Sequence, residues 1–232
     1  MKNINITFFA LLASIFLLSS CGTTKPTHSK EEMYGALYND HPTSIAIMPP
    51  INRTNNVEAK EFFYLTLSQP LSEQGYYVFP PFLTMEMFKT ESAYDAEQFI
   101  NGPLGKFKEV LGADAVLFTT INKWEKKAGL ANTVNVEVEY SLRSTQNNEE
   151  LFYRKGNIIY DASISSSGGG LMGALVNMAA SAINTAATNH IKVARACNNF
   201  ILSDTPAGTY SPNFGQDRSS LAGDKEFTQT IK

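Results

Sequence analysis

Hydrophobic residues follow three patterns along the chain, and each predicts a different element. Continuous apolar runs form the first: Phe8–Leu18, Ser44–Met48 (SIAIM), Tyr76–Phe79 (YYVF) and Ala115–Ile121 (AVLFTTI). Ser44–Met48 and Tyr76–Phe79 are each closed by a Pro-Pro pair, which enforces extended backbone, so both read as strands. Ala115–Ile121 is the most continuous of the strand-length runs and belongs at the centre of a sheet. Helical spacing forms the second pattern. In Glu58–Gln74, Ala59, Phe62, Phe63, Leu67 and Leu71 fall near one face, and Gly75 is placed to end the helix. Pro70 removes a backbone donor inside it and predicts a kink or a break. Leu83–Ile100 is less regular and fits one or two short helices. Asn101-Gly102-Pro103 predicts the start of another helix, with Leu104, Phe107 and Leu111 on one face and Gly112 at its end.

The third pattern is strict alternation. Val134, Val136, Val138, Tyr140 and Leu142 interleave with Asn135, Glu137, Glu139, Ser141 and Arg143. Gln146–Glu149 reads as a turn, and Leu151–Tyr160 returns, giving an antiparallel meander with one buried and one wet face. Ser163–Gly170 (SISSSGGG) is a loop that opens a long helix of about Leu171–Asn198, and few apolar residues follow Ser203. The predicted order is β-α-β-α-β-β-β-α, a single α/β domain with a mixed sheet packed by helices. The first strand–helix–strand unit makes parallel neighbours. The expected segments are a leader over 1–20, a tether over 21–41, the domain over 42–202 and an extended tail over 203–232.

Composition changes this picture mainly at the amino terminus. The 232 residues are 43% hydrophobic and 18% charged, but the first twenty hold a single charge, Lys2. The eleven residues Phe8–Leu18 are about half of the roughly 20 that a membrane-crossing helix needs, and small residues follow them. That is the pattern of an export signal. Without it, Cys21–Lys232 carries 18 Lys+Arg against 22 Asp+Glu, a net charge of −4. This acidic balance excludes a basic nucleic-acid binder, and two cysteines exclude a disulfide framework.

Leu18-Ser19-Ser20-Cys21 resembles the lipobox of bacterial lipoproteins, with an apolar residue, two small residues and then the cysteine. The resemblance implies cleavage between Ser20 and Cys21, a diacylglycerol on the Cys21 thiol and an acylated new amino terminus. Each buried methylene contributes about 0.8 kcal/mol, so two or three chains hold a protein far more firmly than one. Gly22 stands where an inner-membrane retention signal would place Asp, which implies a lipid-anchored protein of the outer membrane, facing the periplasm. Thr23–Lys30 (TTKPTHSK) is polar and reads as the tether. With Cys21 acylated, Cys197 has no intramolecular partner, and its apolar surroundings read as a buried small hydrophobe.

Four blocks together resemble a family of uncharacterised bacterial lipoproteins named for a genome-derived neisserial antigen of the GNA series. They are Ile47–Pro50 (IMPP) with Asn52, Gln69–Pro80 (QPLSEQGYYVFP), Leu111–Val116 (LGADAV) and Thr205–Asp217 (TPAGTYSPNFGQD). The likeness spans Pro42–Asp217. It implies a fold related to the periplasmic domain of the curli channel lipoprotein CsgG and to the amino-terminal domain of TolB. It also implies a component of envelope assembly, with a CsgG-like lipoprotein as a candidate partner.

Chemistry is sparse. His28, His41 and His190 lack a second ligand at metal-binding spacing. His190 and Cys197 stand seven apart on one predicted helix without an orienting acid, and no Gly-x-Ser-x-Gly elbow occurs. Gly168-Gly169-Gly170 lacks the Gly-Lys-Ser/Thr of a phosphate loop. No catalytic, metal or cofactor site is expected, and the leading reading is a non-enzymatic interaction module of an envelope or secretion assembly. Two alternatives stay open: an oligomeric CsgG-like pore component, suggested by the alternation in Thr133–Arg143 and the small-residue helix, and a periplasmic ligand-binding protein. Polar residues from Asn177 to Lys192 argue against a transmembrane last helix, whose small residues would instead let a partner or a second copy come close.

Overall fold

The computed structural model describes residues 28–90, 95–127, 133–162 and 190–232. The expected strands are all present: β1 (Ser44–Ile47), β3 (Tyr77–Val78), β4 (Ala115–Lys127), β5 (Thr133–Ser144) and β6 (Glu150–Asp161). Two more join them, β2 (Ile51–Asn52) and β7 (Glu226–Ile231). The helices are α1 (Lys30–Asp40), α2 (Ala59–Thr66), α3 (Ser68–Glu73), α4 (Pro81–Thr90), α5 (Gly105–Leu111) and α6 (His190–Leu202), with a 3-10 turn at Ala96–Gln98.

All seven strands form one sheet in the order β3-β1-β4-β5-β6-β7, with β2 beside β4. β1 is parallel to both β3 and β4, the meander β4–β5–β6 is antiparallel, and β7 is parallel to β6. The centre is therefore β4, as its apolar run predicts. Pro49 and Pro50 lack the N–H a ladder needs. The chain thus leaves β4 after Met48 and rejoins it at Thr120 and Ile121 as β2.

The predicted helix at Glu58–Gln74 breaks where Pro70 requires. A proline ring clashes with the carbonyl four residues earlier, which is Thr66, the last residue of α2. The helix predicted from Pro103 starts slightly later, at Gly105, and the N–H of its N-cap residue Leu104 donates to Asn148 Oδ1 at 2.8 Å. The last helix runs four residues past the expected Asn198, to Leu202. Its predicted first part, with the preceding glycines, lies outside the described residues.

Two boundaries are corrected. Lys30–Asp40, expected as tether, is the helix α1 and buries Tyr34, Leu37 and Tyr38. Ser29 caps it: its hydroxyl accepts from the Glu32 N–H, and Glu32 accepts from the Ser29 N–H at 2.8 Å. Such a cap contributes about 1 kcal/mol. The expected extended tail is also folded. Thr205, Ala207 and Ala222 are buried, and Glu226–Ile231 adds a strand to the sheet.

Each sheet face has its own core. Over one face α1, α2, α3 and α6 pack on Ile45, Leu117, Val136, Val138, Tyr140 and Phe152. Over the other, α4, the 3-10 turn and α5 cover Val116 and Phe118 with Phe88, Ala96 and Phe107.

Candidate interaction domain and its anchor point

The residues that carried the sequence argument for lipid, Ser20 and Cys21, lie outside the described residues, as does most of the tether. Cys197 is fully buried, and burial pushes its thiol well above the ordinary range. A nucleophilic thiolate there is disfavoured. The three histidines stand apart. His28 faces Glu32 at 3.7 Å, the His41 ring lies tilted against Phe214 with centroids 5.8 Å apart, and His190 meets Glu58 at 3.4 Å. Burial, with Lys126 nearby, lowers the affinity of His190 for a proton despite Glu58. No metal-holding group of three His, Cys, Asp or Glu occurs among the described residues.

The polar residues of the blocks that carry the family resemblance are spent on bonds inside the fold. Asn52 closes its own loop, accepting from Thr54 N and Oγ1 and donating to the Asn56 carbonyl at 2.7 Å. Asp114, from LGADAV, accepts from the backbone N–H groups of Thr43 and Ser44, both at 3.0 Å, from Ser44 Oγ and from Lys108. Burial works against its charge, yet these donors outweigh it and hold the carboxyl below its usual range. Gly75 ends α3 with φ +90°, and Gly208 lies against it. The Tyr76 hydroxyl donates to the Pro206 carbonyl at 2.8 Å. The proline-aromatic block and the TPAG block therefore interlock across the fold.

The start of the described chain is clamped by residues almost two hundred positions later. The Lys30 N–H donates to Ser220 O, Glu31 N–H to Arg218 O, and Ala222 N–H to His28 O. Two aromatic hydroxyls extend the clamp inward, Tyr34 to Asp204 and Tyr38 to Asp217. Asp217 also accepts from Lys30 and from the Ala207 N–H. Burial first, and then the neighbouring carboxylates, push both tyrosine hydroxyls well above their ordinary range. Asp204 faces Arg154, which is buried, donates to Ile201 O and Asp224 O, and lies 4.4 Å over Phe227. A buried guanidinium needs such partners. The roles of Lys30, Arg154, Asp204 and Asp217 leave no local sequence signal, because their partners are distant. The Ser29–Glu32 capping spacing was the one local signal that α1 begins there.

A broad polar surface lies away from this clamp. Glu139 and Ser141 stand opposite Thr120 and Phe118, so the polar row of β5 shares the face of the second core. Beyond that core, β5, β6 and β7 present Glu137, Glu139, Lys155, Asn157, Glu226 and Thr228, and no hydrophobic cluster covers them among the described residues. Lys155 pairs with Glu137 at 3.2 Å, which raises its proton affinity. The Tyr153 hydroxyl is pushed up to about 12 by burial and by Glu139, Glu226 and Glu150. The described helices include none long and apolar enough to cross a membrane.

Comparison with known proteins agrees with the sequence resemblance. Residues 33–210 match the family described as "Putative lipoprotein GNA1162-like". The chain is 29% identical over 175 residues to "Putative lipoprotein NMB1124/NMB1162" of Neisseria meningitidis serogroup B, covering 74% of this chain and 80% of that protein. The crystal structure of lipoprotein GNA1162 from Neisseria meningitidis is 30% identical, with a TM-score of 0.49, over 64% of this chain and 100% of that one. The LpoB C-terminal domain from Salmonella enterica is 16% identical, with a TM-score of 0.34, over 56% of this chain and 97% of that one. A family match over most of its length shows that the chain belongs to the GNA1162-like lipoprotein family.

Proposed function

We propose that this lipoprotein is anchored through Cys21 in the outer membrane and acts in the periplasm as a non-enzymatic interaction module of an envelope assembly. The observation that carries this reading is the use to which the polar residues of the recognised blocks are put. Asn52, Asp114, Tyr76 and Asp217 all close hydrogen bonds within the fold, and Asn52, the one of them that borders an open cavity, is already bonded to its own loop. What remains outward is the polar sheet face. The clamp supports the same reading, because it fixes the start of the described chain, the end nearest Cys21 in sequence, to the folded domain.

The pore alternative loses its main motive. The apolar row of β5, from Val134 to Leu142, is buried under the helices of the first core, where it cannot face lipid. A ligand-binding alternative would use the cavity of about 360 Å³ beyond the end of β1, lined by Pro50, Ile51, Lys60, Asp95 and Glu97. It is open, and its Asn52 is already engaged by the neighbouring loop.

Crosslinking of the native lipidated protein in its envelope, followed by affinity capture beside a Cys21→Ala control, tests the proposal. A stoichiometric envelope protein that depends on Cys21 is the expected result. No partner, with monomeric elution of the protein in detergent, would overturn it.

A further inference from the structure

The two edges of the sheet are treated differently. β3 is two residues long, is followed at once by Pro80 and Pro81, and is flanked by Gly208 and Tyr210, whose N–H groups donate to Gln74 O and Gly75 O. These are ordinary ways of blunting an edge. β7 has six residues, no proline and no bulge, and its outer side is unpaired among the described residues. Its register fixes which groups face outward, and of these the Thr230 carbonyl already accepts from Gln229 Nε2 at 3.1 Å. The Lys155 N–H donates to Lys225 O, and Lys155 stands opposite Glu226. In a parallel ladder this alternation turns Lys225, Phe227, Gln229 and Ile231 toward β6, and the N–H and C=O groups of Glu226, Thr228 and Thr230 outward.

A groove of about 420 Å³ runs beside this edge, between β7 and the outer stripe of α6. Three cations border it, Lys192, Arg195 and Lys232, and no carboxylate of the described residues pairs with them. Phe200 and Ile231 give it an apolar floor, and Asn199 contributes a buried Oδ1 with no hydrogen-bond donor. An open strand edge and a row of cations thus meet at one place.

We propose that the edge of β7 accepts an extended acidic segment of a partner protein as the next strand of the sheet, with alternate carboxylates over the α6 groove. The proposal rests on the interaction-module reading above and names the partner's chemistry. Charge selects the occupant. Pairing of β7 with β7 of a second copy would bring two sets of Lys192, Arg195 and Lys232 together, and like charges repel. Residues 163–189 of the same chain contain no Asp or Glu and cannot answer these cations. An added strand gains affinity from main-chain hydrogen bonds and specificity from its alternate side chains.

The test places a photocrosslinking amino acid at Gln229 of the full lipidated chain in its native envelope, with a second chain carrying it at Asn157 on the sheet face. Crosslinked peptides are sequenced by mass spectrometry. The expected product at Gln229 is a segment of another protein with Asp or Glu at alternate positions. Thr228→Pro removes an outward N–H but no bond to β6, and should lower the yield about tenfold or more. Arg195→Glu, on an exposed helix position, should do the same without touching the sheet. Products from a second copy of β7, from a segment without carboxylates, or undiminished by both substitutions would overturn the proposal. A partner captured from Asn157 but not from Gln229 would overturn this site alone, and no partner from either would overturn the interaction reading as well.

Discussion

Gly75 and Gly208 meet so closely that a Cβ built on Gly208 would stand 2.6 Å from the carbonyl oxygen of Gly75. No side chain fits there, and Gly75 also has φ +90°, where a Cβ is strained. The contact joins the end of α3 to the segment after α6. Gly208→Ala is expected to destabilise the domain by about 1–3 kcal/mol through overpacking. Urea unfolding should show a lower midpoint with an unchanged slope, and a midpoint equal to wild type would contradict the contact.

Asp204 is the shared acceptor of the clamp, taking Tyr34, the Gly223 N–H and Arg154. Asp204→Ala leaves a buried guanidinium without its carboxylate, a change that costs about 3–5 kcal/mol. Thermal unfolding checks this, and the variant should also lose hydrogen-exchange protection at Lys30 and Ala222, whose N–H groups tie the chain ends together. Loss of stability without loss of that protection would show that Asp204 does not hold the clamp.

Asp114 gives the fold a pH dependence of definite sign. Its carboxyl has a folded pKa below its ordinary 3.8, because the donors from Lys108, Ser44 and Thr43 outweigh the effect of burial. A depressed folded pKa contributes stability that is present above the unfolded value and is lost as pH falls through the folded one. Asp114→Asn should therefore be less stable than wild type at neutral pH, with the difference shrinking below about pH 4. A difference constant from neutral pH to pH 2 would contradict the assignment.

Cys197 is completely buried and its thiol is held protonated. In a Cys21→Ala background, native protein should react with a thiol reagent only at the rate of unfolding, and one equivalent should react in denaturant. Rapid native labelling would place Cys197 at the surface.

Much of the fold is legible along the chain because its signals are local. The Pro-Pro pairs stop β1 and β3, Pro70 separates α2 from α3, and the alternation from Val134 to Leu142 gives β5 its two faces. α1 and β7 are less legible because their reasons are distant. Lys30–Asp40 looks polar until Tyr34 and Tyr38 are seen to reach Asp204 and Asp217. Glu226–Ile231 has few buried side chains and becomes a strand only by pairing with β6. The family blocks were visible as motifs, but the bonding of their polar residues depends on pairs such as Ser44 with Asp114, seventy residues apart. The groove beside β7 had no sequence signal, since Lys192 and Arg195 meet Ile231 and Lys232 only in the folded chain.

The central proposal is that Cys21 carries the lipid that brings this clamped domain to a membrane. Metabolic labelling with an alkyne fatty acid, followed by density separation of the two membranes, tests it most directly. The expected result is label on the wild-type protein in the outer-membrane fraction, with no label on Cys21→Ala and release of that variant from membranes. A Cys21→Ala protein that still takes up label, or stays wholly with the membranes, would contradict the account.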